Sequence, residues 1–234
     1  MSSADIGCVL LASGTSSRMG KNRLFLEIDG ETVLRRAVRV AAAAGLNPVL
    51  VVLGHESDRA RAELKELPCL TMINPRYAEG MSTSLSAGIS KLPGGPAAAV
   101  VMLADMPFVT AAMVRELASR WRGEPLVVSL FGDLVAPPIL YARRLFTELR
   151  ALDRESCWKR VIKQHRSQAA EVRWPESVLQ DFDVSGDLER VRAGLQSNPA
   201  EHQRYVQEMT PSWHCGCLPD VPSVALSNTS RSRG

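Results

Sequence analysis

The 234-residue chain has no long hydrophobic run, and aromatic residues make up only 5% of it. Ile6 to Ala12 is too short for a membrane span or a signal-peptide core, and no basic stretch precedes it. A cytoplasmic location with no membrane partner is therefore expected. The scarcity of aromatics argues against surfaces that stack nucleic-acid bases. The 28 Lys and Arg, against 25 Asp and Glu, are scattered instead of gathered in a block, so nucleic acid is not expected as a partner and any phosphate binding should be local. Five cysteines, an odd number in a chain of this size, do not make a disulfide framework, and Cys8 and Cys69 sit among apolar neighbours as small core side chains. His55, His165 and His202 lack a spaced ligand partner. His214-Cys215-Gly216-Cys217 lacks a fourth ligand for a closed zinc site and is read as part of a mobile tail. Two common phosphate loops are missing as well. Gly14 and Gly20 enclose five residues and Asn22 follows Lys21, which breaks the Walker spacing, and there is no G-x-G-x-x-G.

What stands in their place is Cys8-Val-Leu-Leu-Ala-Ser-Gly14-Thr-Ser-Ser-Arg18-Met-Gly20-Lys21-Asn-Arg23-Leu, an apolar strand running into a glycine- and serine-rich loop that carries three cations. Backbone N–H groups freed by a tight turn converge on phosphate oxygens, glycines permit close approach, and basic side chains neutralise the remaining charge. The pattern points to chemistry on a nucleotide, with a solvated basic loop as the plainer alternative.

Strand-like and helix-like segments alternate along most of the chain, which predicts an α/β fold: an open, mostly parallel, Rossmann-like sheet with helices on both faces. Strands are expected at 6–11, 48–53, 70–73, 97–103 and 126–130, with a last strand and helix over 171–195. Helices are expected around Leu34 to Ala41, ended by Gly45, then over 57–67, from about Met81, over 110–121, and near 143–152 and 157–165. Residues 1–196 form one domain in this reading, and 197–234, rich in Ser, Pro, Asn and Arg after one polar helical stretch, form a disordered tail.

Ala97 to Leu103 has almost no polar residue, as a strand buried on both faces requires, and delivers Asp105 at its carboxyl end. Ligands of open α/β sheets sit beyond those ends, so Asp105 and the loop at Gly14 are expected to share a crevice. Mg²⁺ takes one or two carboxylates plus phosphate oxygens and water, which suits a lone Asp in that place. Capping of a turn before Pro107 is the other role open to Asp105. Gly80-Met-Ser-Thr-Ser84 opens a helix whose unpaired N–H groups suit a base, ribose or phosphate, although Ser82 is equally a candidate N-cap.

Four blocks, the loop at 11–26, Asn74-Pro-Arg-Tyr-Ala-Glu-Gly80-Met-Ser-Thr-Ser84-Leu-Ser-Ala-Gly88, Val101-Met-Leu-Ala-Asp105-Met-Pro107 and Asp181-Phe-Asp183-Val-Ser-Gly-Asp187-Leu, come in the order found in the molybdenum cofactor nucleotidyltransferases. The chain resembles that MobA-like family, and its cytidylyltransferase branch in particular, over roughly residues 6 to 195. The resemblance implies a nucleotide-diphospho-sugar transferase-like fold and Mg²⁺-dependent transfer of CMP from CTP to the phosphate of molybdopterin, with release of pyrophosphate. It also implies Mg²⁺ (or Mn²⁺) held by Asp105 and Asp183; Asp187, in the opening turn of the last helix, is read as its cap. Arg18, Lys21 and Arg23 then act on the triphosphate, and Leu11, Ala12, Ser13, Gly14, Gly80, Ser84 and Asp105 contact the nucleotide. A molybdenum hydroxylase resembling xanthine dehydrogenase is the implied recipient of the cofactor. Ala12-Ser13 stands where the guanylyl branch has Ala-Gly-Gly, which favours CTP over GTP.

Three places depart from the family. Arg23 replaces the usual Lys, exchanging a point charge for a planar fork. Leu152-Asp153-Arg154-Glu155-Ser156-Cys157-Trp158 replaces a Gly-Asp-x-Gly segment, and Ser185-Gly186 replaces Thr-Pro-Glu. The alternatives left by these departures are a cytidylyl- or guanylyltransferase for another phosphorylated acceptor, and a non-catalytic nucleotide or cofactor carrier.

Overall fold

The computed structural model describes residues 6–14, 22–153 and 157–179. β1 (Ile6–Ala12) is buried at all seven positions. The chain that follows leads to a small hairpin, β2 (Glu27–Ile28) and β3 (Glu31–Thr32), turned by Asp29 and Gly30 at φ +53° and +78°. Helix α1 (Val33–Ala43) is capped by the Thr32 hydroxyl, which accepts from the Arg35 N–H. It closes as expected at Gly45, whose φ of +82° is the left-handed conformation in which glycine ends helices. There follow β4 (Val49–Leu53), α2 (Ser57–Leu64), β5 (Leu70–Ile73), α3 (Met81–Lys91), β6 (Ala98–Leu103) and α4 (Ala111–Ser119). The second part contains β7 (Leu126–Phe131), β8 (Leu134–Ala142), α5 (Phe146–Arg150), α6 (Trp158–His165) and β9 (Ala170–Trp174).

Seven of these strands make one sheet in the order β5-β4-β1-β6-β8-β7-β9. The β1–β4, β1–β6, β4–β5 and β7–β9 pairs are parallel. β8 is antiparallel to both its neighbours. Helix α1 contacts α2 and α4 over one face, and α5 contacts α3 and α6 over the other. The open, mostly parallel sheet expected from the sequence is present, with one reversed strand that the sequence reading passes over. Pro137 and Pro138 argue against a central strand because neither can donate to a ladder. The sheet accommodates them with a register shift between Val128 and Ser129, and the Ser129 hydroxyl donates to the Pro138 carbonyl at 2.6 Å.

Smaller differences are at helix ends. α2 stops at Leu64, and the stretch over 143–152 divides into a tight turn at Arg143–Leu145 and the short α5. Thr110 is the N-cap of α4, its hydroxyl accepting from the Met113 N–H at 3.2 Å. Cys8 is fully buried in the core, which pushes its thiol pKa well up, and Cys69 is half-buried. Among the described residues no helix is long and apolar enough to cross a membrane. The helix expected to run to Leu195, the division at 196/197 and His214 to Cys217 lie outside the described residues.

Candidate active site

β1 lies between β4 and β6 in the sheet, so the chain leaves it one way to form β4 and β5 and returns on its other side as β6. Such a reversal opens a crevice at the carboxyl ends of the two central strands. Leu11 pairs with Leu103, and the Ala104 N–H donates to the Leu11 carbonyl at 3.0 Å. Ala12, Ser13 and Gly14 therefore leave the sheet beside Asp105, as the sequence predicts. Asp105 is half-buried. Its loop is tied to α1 by Arg36, whose Nε donates to the Pro107 carbonyl at 2.9 Å.

Ser13 is only 6% exposed, and its hydroxyl shares a 2.7 Å hydrogen bond with that of Ser84, which is fully buried in the first turn of α3. Asn74, at the end of β5, completes the group. Its Nδ2 donates to Ser84 Oγ at 2.9 Å and to Thr83 Oγ1 at 3.1 Å, while its Oδ1 accepts from the Arg76 N–H at 3.0 Å. Ser84 thus meets the loop from below. The structure turns the Ser13 hydroxyl toward α3, so any influence of this residue on base selection passes through its backbone. Gly54, after β4, closes the arrangement: a Cβ there would stand 2.6 Å from Tyr77 Cβ and 2.7 Å from the Ser13 carbonyl oxygen. Asn74 and Gly54 are site residues that sequence reasoning left without a role. An Asn preceding Pro75 and a Gly at a strand's carboxyl end are the signals that pointed to them.

The chain returns at Asn22. Asn22 Oδ1 accepts from the Leu24 N–H at 3.1 Å, opening the tight turn Arg23–Phe25, and Nδ2 donates to Glu56 Oε2 at 2.8 Å. Arg23 is half-buried in that turn. Arg59 reaches Glu56 Oε1 at 3.4 Å and lays its guanidinium over the Phe25 ring, 3.9 Å from the centroid. Arg18 and Lys21 lie outside the described residues, as do Asp183 and Asp187.

Gly80, and not Ser82, holds the N-cap position of α3, at a φ of +121° that favours glycine. Gly14 is exposed, and no described atom lies within 4 Å of where its Cβ would be. Packing against the described residues therefore does not call for glycine at position 14. On the α3 side of the crevice Arg76 forms a bidentate pair with Glu79. The Glu79 contact, supported by Asp153, raises the Arg76 pKa above its usual value. Asp153 belongs to the segment that departs from the family pattern.

A magnesium-type ion needs one or two carboxylates, with phosphate oxygens and water filling the other positions. Among the described residues no three His, Cys, Asp or Glu side chains gather as a metal-ligating group. A single Asp105 beside the Ser13–Gly14 turn nevertheless fits that donor set, because a nucleotide substrate would itself supply most of the oxygens.

The family model described as "MobA-like NTP transferase domain" matches residues 8–170. The chain is 27% identical over 199 residues to the purine catabolism protein PucB of Bacillus subtilis, covering 80% of this chain and 96% of that protein. It is 26% identical over 184 residues to the molybdenum cofactor cytidylyltransferase of Escherichia coli, covering 78% of this chain and 93% of that protein. It also matches bifunctional GlmU proteins, spanning only 30% and 45% of the length of two of them. Among solved structures, Rv0371c of Mycobacterium tuberculosis superposes with a TM-score of 0.70 at 25% identity, covering 81% of this chain and 98% of that one. The same protein has also been solved as a complex with manganese. With the crevice at β1 and β6 and the match over residues 8–170 taken together, the chain belongs to the MobA-like NTP transferase family and is a nucleotidyltransferase.

Proposed function

We propose that the protein transfers CMP from CTP to the terminal phosphate of molybdopterin, releasing pyrophosphate. The observation that carries this reading is the placement of the Ser13–Gly14 turn beside Asp105 on the paired strands β1 and β6. Backbone N–H groups of the turn would receive phosphate oxygens, and Gly14 leaves the room they need. Gly80, at the open start of α3, would take the sugar or base. Ser84 would serve the nucleotide indirectly, by fixing Ser13.

The acceptor phosphate attacks the α-phosphorus in line as the bond to the departing pyrophosphate breaks. Arg23, with Arg18 and Lys21 of the same loop, would hold the triphosphate and neutralise the charge gathering on pyrophosphate. Asp105, joined by Asp183, would hold Mg²⁺, which when bound draws the phosphate oxygens together and offsets their charge. The Escherichia coli relative's name supports cytidylyl transfer to the molybdenum cofactor. The recipient would be a molybdenum hydroxylase resembling xanthine dehydrogenase, and the Bacillus subtilis relative is named a purine catabolism protein.

The test is pyrophosphate release by the purified chain with Mg²⁺ and molybdopterin, comparing CTP, GTP and ATP. Release with CTP that depends on molybdopterin, and that falls at least about a hundredfold in Asp105→Ala, is expected. Release with GTP alone would make it a guanylyltransferase. Nucleotide binding without turnover would favour a carrier, a reading that Arg23 in place of Lys and the lost glycines at 152–158 keep open.

A further inference from the structure

Glu56 stands between β4 and α2 in the left-handed region, at φ +50° and ψ 37°. A side chain pays for that conformation in steric strain, and glycine or asparagine would occupy it more easily. Helix capping does not explain the glutamate, since Glu56 makes no side-chain cap hydrogen bond to α2. Its carboxylate is directed instead at the returning leg of the loop. Oε2 accepts from Asn22 Nδ2 at 2.8 Å, and Oε1 meets Arg59 at 3.4 Å. Arg59, through its stacking on Phe25, grips the same leg from its other end. Arg23 lies between the two gripped residues. The outgoing leg is attached to the same turn, because the His55 N–H points at the Ser13 carbonyl at 3.5 Å. The β4–α2 turn thus touches both legs of the loop and fixes how far apart they stand.

We propose that Glu56 is a positioning residue for nucleotidyl transfer: by holding Asn22 it sets where Arg23 stands relative to the Ser13–Gly14 turn, without itself touching the nucleotide. This rests on the reading above, in which Arg23 serves the triphosphate. A strained backbone kept by a glutamate is then explained by what its carboxylate holds in place. Asn22 is the matching half of the latch, and its two polar atoms are used on Leu24 and Glu56 in the same geometry.

The test compares the full chain with Glu56→Ala, Glu56→Gln, Arg23→Ala and the Glu56→Ala/Arg23→Ala pair. The readouts are pyrophosphate release, affinity for Mg-CTP, thermal midpoint and amide hydrogen exchange over residues 22–26. In Glu56→Ala, kcat/KM is expected to fall about tenfold to a hundredfold, with faster exchange over 22–26 and only a small drop in midpoint. Gln, which still accepts from Asn22, should restore most of the loss. The Glu56→Ala effect should vanish in the Arg23→Ala background, because a residue that acts through another has nothing left to position. Wild-type turnover, affinity and exchange in Glu56→Ala would overturn the proposal, as would full additivity in the double variant. If the unaltered chain binds Mg-CTP without turnover, the transferase reading fails, while an affinity loss in Glu56→Ala that depends on Arg23 still upholds the latch. If it binds no nucleotide, both fall.

Discussion

The two ends of the loop after β1 are held by opposite kinds of chemistry. At the outgoing end, Ser13, Ser84 and Asn74 form a buried group of neutral hydrogen bonds, none of the three more than 6% exposed. At the returning end, Asn22, Glu56 and Arg59 form a latch built on charge, with the Glu56 side chain 32% and the Arg59 side chain 58% exposed. A buried neutral network is expensive to break and indifferent to salt, because each partner would be left without its hydrogen bond away from water. A half-exposed charged latch is worth less and is screened by ions. The loop is therefore anchored firmly where it leaves the sheet and held adjustably where it presents Arg23, which suits a segment that must admit and release a charged ligand.

The hardest way to break this contrast is at Gly54. Its Cα faces the Ser13 carbonyl and the base of the Tyr77 side chain, neither of which is a flexible chain end. Gly54→Ala is expected to cost about 3 kcal/mol by overpacking and to abolish turnover, read by thermal melting and pyrophosphate release. Ser84→Ala comes next, withdrawing a partner from both Ser13 and Asn74. A loss of about 1–3 kcal/mol is expected, several degrees in Tm, and the deficit should be the same in 0.1 M and 1 M salt. A deficit that shrinks in high salt would refute the distinction drawn between the two ends.

The smallest effect is one of pH. The Asn22 hydrogen bond, more than the Arg59 and His55 charges, holds the Glu56 carboxyl below its usual pKa. A carboxylate lowered on folding contributes stability that is fully present above its unfolded pKa and is lost as pH falls through the folded value. Exchange over residues 22–26, corrected for intrinsic rate, should rise only as pH falls below the ordinary glutamate range. The Ser13–Ser84–Asn74 group carries no titrating member and should show no such onset.

The parts of this molecule that the sequence reveals are those where one chemical demand governs a whole run. Ile6 to Leu11 and Ala97 to Leu103 read as central strands because both faces are buried, and Asp105 follows from the second of them. The blocks at 11–26, 74–88 and 101–107 likewise carry the family, and the match over residues 8–170 agrees with them. Features set by partners distant in sequence stay hidden. β8 is masked by Pro137-Pro138, whose cost is met by Ser129 on the neighbouring strand. Asn74 is visible as part of a motif, but its hold on Ser84, and through it on Ser13, needs two loops brought together from 71 residues apart. Glu56 looks like an ordinary helix-start acid until its φ and its bond to Asn22 are seen. The β2–β3 hairpin is a different case, since Asp29-Gly30 is a recognised turn signal that the sequence reading passes over.

Because β8 runs backwards through the sheet, the strands of the two halves are hydrogen-bonded along one antiparallel ladder, from Ala98 with Ala142 to Val101 with Ile139. The loop after β1, its two anchors and Asp105 all lie on the β5-β4-β1-β6 side of that seam. Main-chain bonding is blind to side-chain identity, so what ties the halves to each other's sequence is the packing around the ladder: α3 lies against α5, and Val127, Leu140 and Val172 share one core with Cys8 and Leu34. A substitution on β7 or β9 therefore reaches the loop after β1 through shared volume, not through the hydrogen bonds of the seam.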